Sequence, residues 1–228
     1  WRRLEPPHWG RLAEMLRLGL PNAASITVEV TSYTLMALLI ARLGSQAAAS
    51  HQITSNLGAL FYMVPLSLSI ATSARVSYWI GADRPELARA AIGHGFVWLL
   101  LTTLASGLIL ALGRDAIARL YIQDESVAQQ ASELLAWLVW YQTGDSLQVL
   151  CFFVLRCFRV TLLPMLVYAL FLWGVGLSGG FWLAYVGGWG IAPLMGPQAF
   201  WISSSLALTI VSMVLGTLLW RVIRRQQG

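Results

Sequence analysis

Long apolar segments separated by short charged ones are the dominant feature of this sequence. From Val160 to Trp220 there is no charged residue, and 57% of the 228 residues are hydrophobic. Only 11% are charged, whereas soluble globular domains carry about 25%. A helix that crosses a bilayer needs about 20 consecutive apolar residues. The sequence therefore predicts an all-α integral membrane protein.

The charged residues divide the chain into a predicted bundle of six transmembrane helices over residues 18–220. The predicted spans are Leu18–Ala41, Ile53–Ala74, Ala90–Gly113, Leu134–Leu155, Leu163–Val186 and Gln198–Trp220. The last two are separated because the Gly- and Pro-rich residues from Gly187 to Pro193 are typical of a turn. Residues 1–17 are predicted to be a cytoplasmic linker, and residues 221–228 a basic cytoplasmic tail.

Two connecting segments contain the residue types that begin helices. Asp83, followed by Pro85 and Glu86, predicts a short surface helix over Pro85–Ala91 that is capped by Asp83 and precedes the third span. Asp124 predicts the cap of the fourth helix in the same way. Both features are interpreted as structural.

The distribution of arginine predicts the orientation, because cytoplasmic loops of membrane proteins are enriched in Lys and Arg. With the N-terminus inside, the inner segments contain Arg2, Arg3, Arg11, Arg17, Arg75, Arg84, Arg89, Arg156, Arg159, Arg221, Arg224 and Arg225. The outer loops contain Arg42, Arg114 and Arg119. An even number of spans then places both termini in the cytoplasm. We predict a multi-pass protein of the cytoplasmic (inner or plasma) membrane.

Two carboxylates lie inside apolar segments that have no other charge. Glu29 belongs to the first predicted span and Asp145 to the fourth. An ionised side chain at membrane depth costs at least ~2.5–3.5 kcal/mol, and such residues commonly bind ions, protons or substrates. Carboxylate oxygens also suit hard cations. We therefore predict that Glu29 and Asp145 bind a coupling proton or form a sodium site.

Polar residues share a helix face with each of these carboxylates. The two faces are Asn22, Ser25, Glu29 and Ser32 on the first span and Tyr141, Asp145 and Gln148 on the fourth. In hydrocarbon, such faces must point towards other helices or a wet cavity. We predict Tyr141 as an auxiliary cation ligand, and Asn22, Ser25 and Gln148 as cavity-lining residues. The alternative is that each carboxyl group is protonated and only hydrogen-bonds a neighbouring helix.

Several other functional classes are disfavoured by the sequence. The arginines lie at the ends of apolar runs rather than in one stripe, so the net charge of +5 does not predict nucleic-acid binding. The sequence contains no nucleophile–base pair and no His/Cys cluster with metal-ligand spacing, which predicts neither an enzyme nor a bound cofactor. His51 is interpreted as a packing residue, and Cys151 and Cys157 as unbridged fillers.

Four stretches together resemble one transporter family. They are Leu18–Pro21 with Glu29, Ala48–Ile53 with Met63–Leu68, Arg75–Ala82 with Leu87–Arg89, and Tyr141–Val149 with Leu155 and Arg156. In this order they resemble the C-terminal half of a multidrug and toxin extrusion (MATE) transporter of the NorM-like branch. The inner loop departs from the family pattern at Ser77, Tyr78 and Asp83.

The resemblance implies a fold and an activity beyond what spacing shows. Family members have twelve spans in two six-helix bundles, and they expel organic cations or drugs in exchange for sodium or protons. Positions that match Glu29, Tyr141 and Asp145 belong to the cation-coupling site of the NorM-like branch. The resemblance also implies membrane lipid and small organic cations as partners, together with an N-terminal six-helix bundle that this chain lacks.

Two alternatives stay open at the level of sequence. The first is a flippase of the same superfamily that moves a lipid-linked saccharide, although such proteins tend to line their cavity with cationic residues. The second is a truncated chain without transport activity, which is a membrane scaffold or a remnant. The absence of an initial Met and the six-helix length favour this second alternative.

Overall fold

The computed structural model describes residues 9–187 and 192–225, and these residues form helices without strands. The α-helices are α1 (Trp9–Ala41), α2 (Ser45–Gly81), α3 (Pro85–Tyr121), α4 (Glu125–Cys157), α5 (Leu162–Phe171), α6 (Ser178–Phe181) and α7 (Gln198–Arg225). Two π-helical segments, Leu172–Leu177 and Trp182–Val186, make α5 and α6 parts of one interrupted helix. The predicted all-α class is confirmed for this part of the chain.

Five stretches of helix in the described residues are long and apolar enough to cross a membrane. They are Leu12–Ala41, Ser45–Gly81, Pro85–Tyr121, Leu162–Val186 and Gln198–Arg225. The fourth predicted span is not among them. Its helix α4 is 33 residues long, which suffices for crossing, but it carries many polar residues. The count of six spans therefore stays a prediction.

Helix α4 is polar because it lies at the centre of the bundle. It packs against α2, α3 and α7, and Leu134, Leu135, Leu138, Leu150 and Leu155 on it are fully buried. A helix that is surrounded by other helices does not need a lipid-compatible surface on every side. The neighbouring helices must instead present an apolar surface to the lipid. On α3, for example, the exposed residues include Trp98, Leu104, Leu108 and Leu112.

The ends of the bundle differ in detail from the predicted linker and tail. Helix α1 already begins at Trp9, so residues 9–17 are helical, and no break marks the predicted start of the first span at Leu18. Helix α7 continues to Arg225, so most of the predicted tail is helical. Residues 1–8 and 226–228 lie outside the described residues.

The two predicted helix starts have opposite outcomes. The cap by Asp124 is confirmed, because its Oδ1 accepts hydrogen bonds from the backbone N–H groups of Ser126 at 2.9 Å and Val127 at 3.3 Å. The Ser126 hydroxyl also donates to Oδ1, and these bonds hold the pKa of the Asp124 carboxyl below its usual value.

The predicted surface helix over Pro85–Ala91 is wrong as a separate element. Helix α3 begins at Pro85 and continues without interruption to Tyr121. The first Gly or Pro after Pro85 is Gly93, and a single glycine does not end this helix. Asp83 does not cap the helix. It occupies the left-handed region with φ 57°, and Arg84 is the N-cap residue, without a side-chain cap bond.

The turn predicted between the last two spans is described only at its edges. The interrupted helix ends at Val186, and Gly187 follows with φ 63°, a conformation that favours glycine. Residues 188–191 lie outside the described residues. The two cysteines are free, as predicted.

Candidate functional site

The two predicted carboxylates line one cavity between α1, α2 and α4. Its volume is about 510 Å³, and both Glu29 and Asp145 contribute to its wall. The other polar and aromatic lining residues are Tyr33, Thr34, His51, Gln52, Ser55, Tyr62, Tyr141 and Gln142. We call this space the carboxylate cavity. The fold therefore brings together two acidic residues that are 116 positions apart in the sequence.

Neither carboxylate is neutralised by the protein. Within residues 9–187 and 192–225, no basic side chain pairs with Glu29 or Asp145, and no hydrogen bond to either is formed. Asp145 is nevertheless only 7% exposed. A buried carboxylate without a partner is costly, so it needs a cation or a proton. This geometry disagrees with the alternative of a hydrogen bond to a neighbouring helix.

Close packing of α4 against α7 fixes the direction of Asp145. The preceding residue, Gly144, lies so close to α7 that a Cβ atom there would be 3.1 Å from the backbone nitrogen of Thr209 and 3.2 Å from the carbonyl carbon of Leu208. Successive residues on a helix differ by about 100° in direction. With Gly144 facing α7, Asp145 faces away from that contact and lines the cavity.

Glu29 is placed by the polar face of α1. As the spacing predicts, Ser25 and Ser32 on this face are buried, while Asn22 and Glu29 are half-buried. Ser25 donates a hydrogen bond of 2.9 Å to the carbonyl of Pro21, which satisfies its hydroxyl within the helix. The indole N–H of Trp173 donates to the carbonyl of Val28 at 3.3 Å and ties α1 to the first π-helical segment.

The remaining predicted residues divide between two adjoining cavities. Tyr141 lines the carboxylate cavity with Asp145. Asn22, Ser25 and Gln148 instead line a second cavity of about 290 Å³. Glu29, Val30 and Tyr62 belong to the walls of both. The predicted set is thus collected around Glu29, but not within a single space.

Aromatic rings pack around Tyr141 in the wall of the carboxylate cavity. The ring of Tyr141 contacts Trp201 edge-to-face with centroids 5.3 Å apart, and Tyr33 contacts both of these rings at 6.4 Å. His51 lies 5.8 Å from the Trp201 ring and 6.2 Å from the Tyr33 ring. These contacts hold Tyr141 in place, and aromatic faces attract organic cations.

Sequence reasoning missed several lining residues for which a signal existed. Tyr33 is four residues after Glu29, and Gln142 is three residues before Asp145, so each shares a helix face with a carboxylate. His51 packs against Tyr33 and Trp201, in agreement with its interpretation as a packing residue. It also lines the cavity, and its Nδ1 is buried without a partner. The same holds for Nε2 of Gln142.

The donor set of the cavity suits a hard cation. In the described part of the chain, no group of three or more His, Cys, Asp or Glu residues is arranged to hold a metal ion. The cavity instead offers two carboxylates with tyrosine, serine and amide oxygens. Hard cations such as sodium bind oxygen ligands of this kind, whereas soft metals prefer sulfur and imidazole.

Comparison with known proteins places this arrangement in a family. The MatE family model matches residues 21–182, which include both carboxylates. A probable multidrug resistance protein NorM from Aromatoleum aromaticum is 38% identical over 225 residues, which cover 98% of this chain. The chain belongs to the MatE family. The predicted resemblance is confirmed.

Other MatE relatives and solved structures agree with this assignment. The multidrug resistance protein MdtK of Proteus mirabilis is 35% identical over 98% of the chain. The eukaryotic MATE transporter AtDTX14 has a similar fold, with a TM-score of 0.83 at 21% identity over 95% of the chain. An outward-facing multidrug resistance MATE transporter gives a TM-score of 0.79 at 17% identity over 92% of the chain. These relatives are transporters, which agrees with the prediction that the chain is not an enzyme.

The chain spans about half the length of the curated MatE relatives that it matches. The alignments cover 48% of the NorM protein of Aromatoleum aromaticum and 49% of MdtK of Proteus mirabilis. The share of AtDTX14 that is matched is 49%. These fractions agree with a chain that corresponds to half of a MATE transporter.

Proposed function

We propose that this chain is the cation-binding bundle of a cation-coupled antiporter that exports organic cations or drugs. In this proposal Glu29 and Asp145 are the coupling carboxylates, Tyr141 is an auxiliary ligand, and sodium or protons are the coupling ions. No resident cofactor takes part. The observation that carries the proposal is the presence of two unpaired carboxylates in one cavity.

The coupling follows from competition for the same negative charge. With two carboxylates and no basic partner among the described residues, the cavity favours binding of a cation or a proton. An organic cation that enters the same space meets the same charges and the aromatic faces of Tyr33, Tyr62 and Tyr141. Ion and substrate then compete, and competition for one site is what an exchanger needs.

The names of the relatives support the export of drugs. The NorM and MdtK proteins that the chain resembles are described as multidrug resistance proteins. Because the chain corresponds to half of such proteins, we propose that it works together with an N-terminal six-helix bundle. Binding sites of transporters built from repeats lie between the repeats. The carboxylate cavity would then face that second bundle.

The proposed topology has six spans, with α4 as the fourth, in the cytoplasmic membrane. The five apolar stretches and the central position of α4 support this count. The arginines in and beside the turns that join α2 to α3 and α4 to α5 support cytoplasmic termini; they are Arg75, Arg84, Arg89, Arg156 and Arg159. Membrane lipid surrounds the exposed apolar faces.

The composition of the cavities weighs against the flippase alternative. Among the described residues, the walls of the carboxylate cavity and of the adjoining cavity include two carboxylates and no arginine. A cavity that holds a phosphorylated lipid needs positive charge to bind the phosphate groups. The observed charge has the opposite sign.

A binding experiment on the chain itself tests the proposed site. The chain in nanodiscs is titrated with sodium by calorimetry, and proton release is followed with a pH-sensitive dye. We expect Glu29→Gln and Asp145→Asn each to weaken sodium binding by ~10-fold or more, because a contact with a charged group contributes about 1.5–3 kcal/mol. Glu133→Gln is the matched control, since Glu133 is an exposed carboxylate on α4. Wild-type sodium affinity in both cavity variants would disprove the assigned roles.

A transport experiment tests the need for a second bundle. Cells produce the chain alone or together with the N-terminal half of the NorM relative from Aromatoleum aromaticum, and efflux of a cationic dye is measured. We expect efflux only when both halves are present, and loss of that efflux in Asp145→Asn. Sodium binding without efflux in either case would favour the scaffold alternative.

A further inference from the structure

A third cavity lies between α2 and α3, away from the carboxylate cavity. Its volume is about 400 Å³, and it shares no lining residue with the other two. Its wall includes Arg75, His94 and Trp98, whose side chains are all exposed on the outer surface of the bundle. We call it the α2/α3 cleft. It opens towards the surroundings of the protein and not towards the bundle interior.

In the cleft, Arg75 lies at the depth of lipid headgroups and His94 lies at the edge of the hydrocarbon. Helices α2 and α3 have 37 residues each, so each is about 55 Å long and extends about 13 Å beyond either side of a centred 30 Å hydrocarbon layer. Counted from the α2/α3 turn, Arg75 is about 9 Å along its helix and His94 about 14 Å. Leu68 and Trp98 are both about 20 Å along, within the hydrocarbon.

The positive charge at the mouth of the cleft has no protein partner. Within the described residues, the ion pairs are Arg119–Glu125 and Arg159–Glu14, and Arg75 makes neither an ion pair nor a hydrogen bond. Arg84 and Arg89 lie at the same end of the bundle but do not line the cleft. An unpaired guanidinium at this depth favours an anionic group with several acceptor oxygens.

The cleft has a closed floor and small walls. A Cβ atom on Gly95 would lie 2.5 Å from Cγ2 of Thr72, so α2 and α3 touch there and no gap leads further inwards. Ala71, Ala90 and Ala91 contribute small side chains, which leave the volume open. Below the mouth, Leu68 and Trp98 provide an apolar surface of the kind that acyl chains cover.

We propose that the α2/α3 cleft binds one anionic phospholipid. The guanidinium of Arg75 donates hydrogen bonds to the lipid phosphate, and His94 lies beside the same headgroup. In the same wall, Trp79 lies closer to the α2/α3 turn than Arg75 does, and Trp98 lies deeper, beside the acyl chains. One acyl chain extends along Leu68 and Ala71. Basic pockets between transmembrane helices bind anionic headgroups by the same physical principle.

Native mass spectrometry of the chain with added lipid tests this proposal. The chain is released from detergent with increasing phosphatidylglycerol or phosphatidylcholine, and the apparent affinity of the first bound lipid is measured. We expect phosphatidylglycerol to bind at least ~5-fold more tightly than phosphatidylcholine, since one basic residue near a surface contributes about 1 kcal/mol. Arg75→Gln should remove this preference, and Arg75→Lys should keep most of it.

Two further variants separate the cleft from general surface charge. Arg84→Gln removes a neighbouring arginine outside the cleft lining and should reduce the preference clearly less than Arg75→Gln does, because Arg75 is the arginine that lines the cleft. Ala71→Phe fills the cleft without changing its charge and should weaken phosphatidylglycerol binding. The proposal fails if Arg75→Gln binds phosphatidylglycerol as the wild type does, or if Arg84→Gln loses the preference equally. It also fails if millimolar inorganic phosphate displaces the lipid, because the occupant would then be phosphate itself.

The variants at Arg75 and Ala71 require evidence that they fold. Circular dichroism and elution as a single species from a sizing column provide it, and sodium binding at the carboxylate cavity provides a second check, since the two cavities share no residue. If Ala71→Phe does not fold, Ala90→Leu at the opposite wall repeats the steric test with a smaller addition. Unchanged lipid binding in the folded filling variant would overturn the proposal.

Discussion

The contact between α4 and α7 at Gly144 can be tested by adding a single methyl group. In Gly144→Ala, the new Cβ would be 3.1 Å from the backbone nitrogen of Thr209 and 3.2 Å from the carbonyl carbon and Cβ of Leu208. Two of these three atoms belong to the backbone of α7 and cannot move away by rotating a side chain. The methyl group must therefore push α4 and α7 apart.

The expected magnitude combines two opposing effects. Overpacking a well-filled contact costs about 1–3 kcal/mol, whereas alanine in a helix is more favourable than glycine by about 1 kcal/mol. Gly216→Ala on α7 isolates the second effect, because a Cβ atom there would meet nothing within 4 Å. The free energy of unfolding of Gly144→Ala should therefore be lower than that of Gly216→Ala by about 1–3 kcal/mol.

Thermal unfolding of both variants in the same detergent measures this difference. For a chain of this size, it corresponds to a separation of roughly 2–12 °C between the two midpoints. Sodium binding by Gly144→Ala should fall as well, because the displaced helix carries Asp145 in its next position. If Gly144→Ala is as stable as Gly216→Ala and binds sodium normally, then packing against α7 does not direct Asp145.

Two further predictions concern the site and a loop. In Tyr141→Phe, loss of the hydroxyl should weaken sodium binding by about 2- to 10-fold, while the midpoint of thermal unfolding stays unchanged because the ring keeps its contact with Trp201; a lower midpoint would contradict this. Asp124→Ala should lower the midpoint at neutral pH, because α4 loses its cap. The pKa of Asp124 is lower in the folded chain than in the unfolded chain. The stabilisation by its carboxylate is therefore present above the unfolded pKa and is lost as the pH falls through the folded pKa. Acidification should reduce the difference between the unfolding midpoints of the wild type and Asp124→Ala.

The sequence predicts the positions of most helices and some of the residues around the carboxylates. Apolar runs bounded by arginine identify helices, because a segment that contacts lipid must be apolar and must satisfy its backbone hydrogen bonds internally. The three- and four-residue spacing on α1 correctly predicts that Ser25 and Ser32 are buried, since helix geometry fixes which side chains share a face.

Tertiary contacts explain what sequence reasoning missed. The separation of Gln148 from Asp145 into different cavities depends on the placement of Glu29, Val30 and Tyr62, which belong to the walls of both. Spacing along α4 contains no information on that placement. Asp83 and Asp124 precede similar motifs, yet only Asp124 caps a helix, because the backbone at Asp83 is left-handed. His51 packs against Trp201 of a distant helix and also lines the carboxylate cavity, and neither neighbour can be read from spacing along α2.

The central position of α4 has a consequence for how the chain is made. A segment with Asp145 and several amides is a poor substrate for the insertion machinery on its own, since an aspartate at the centre of a segment adds about 2.5–3.5 kcal/mol to the cost of entry. On the proposed topology, α4 emerges from the ribosome directly after α3, against which it packs. We therefore expect the two to enter the bilayer as a helical hairpin, with α3 covering one side of α4 until α7 has been synthesised.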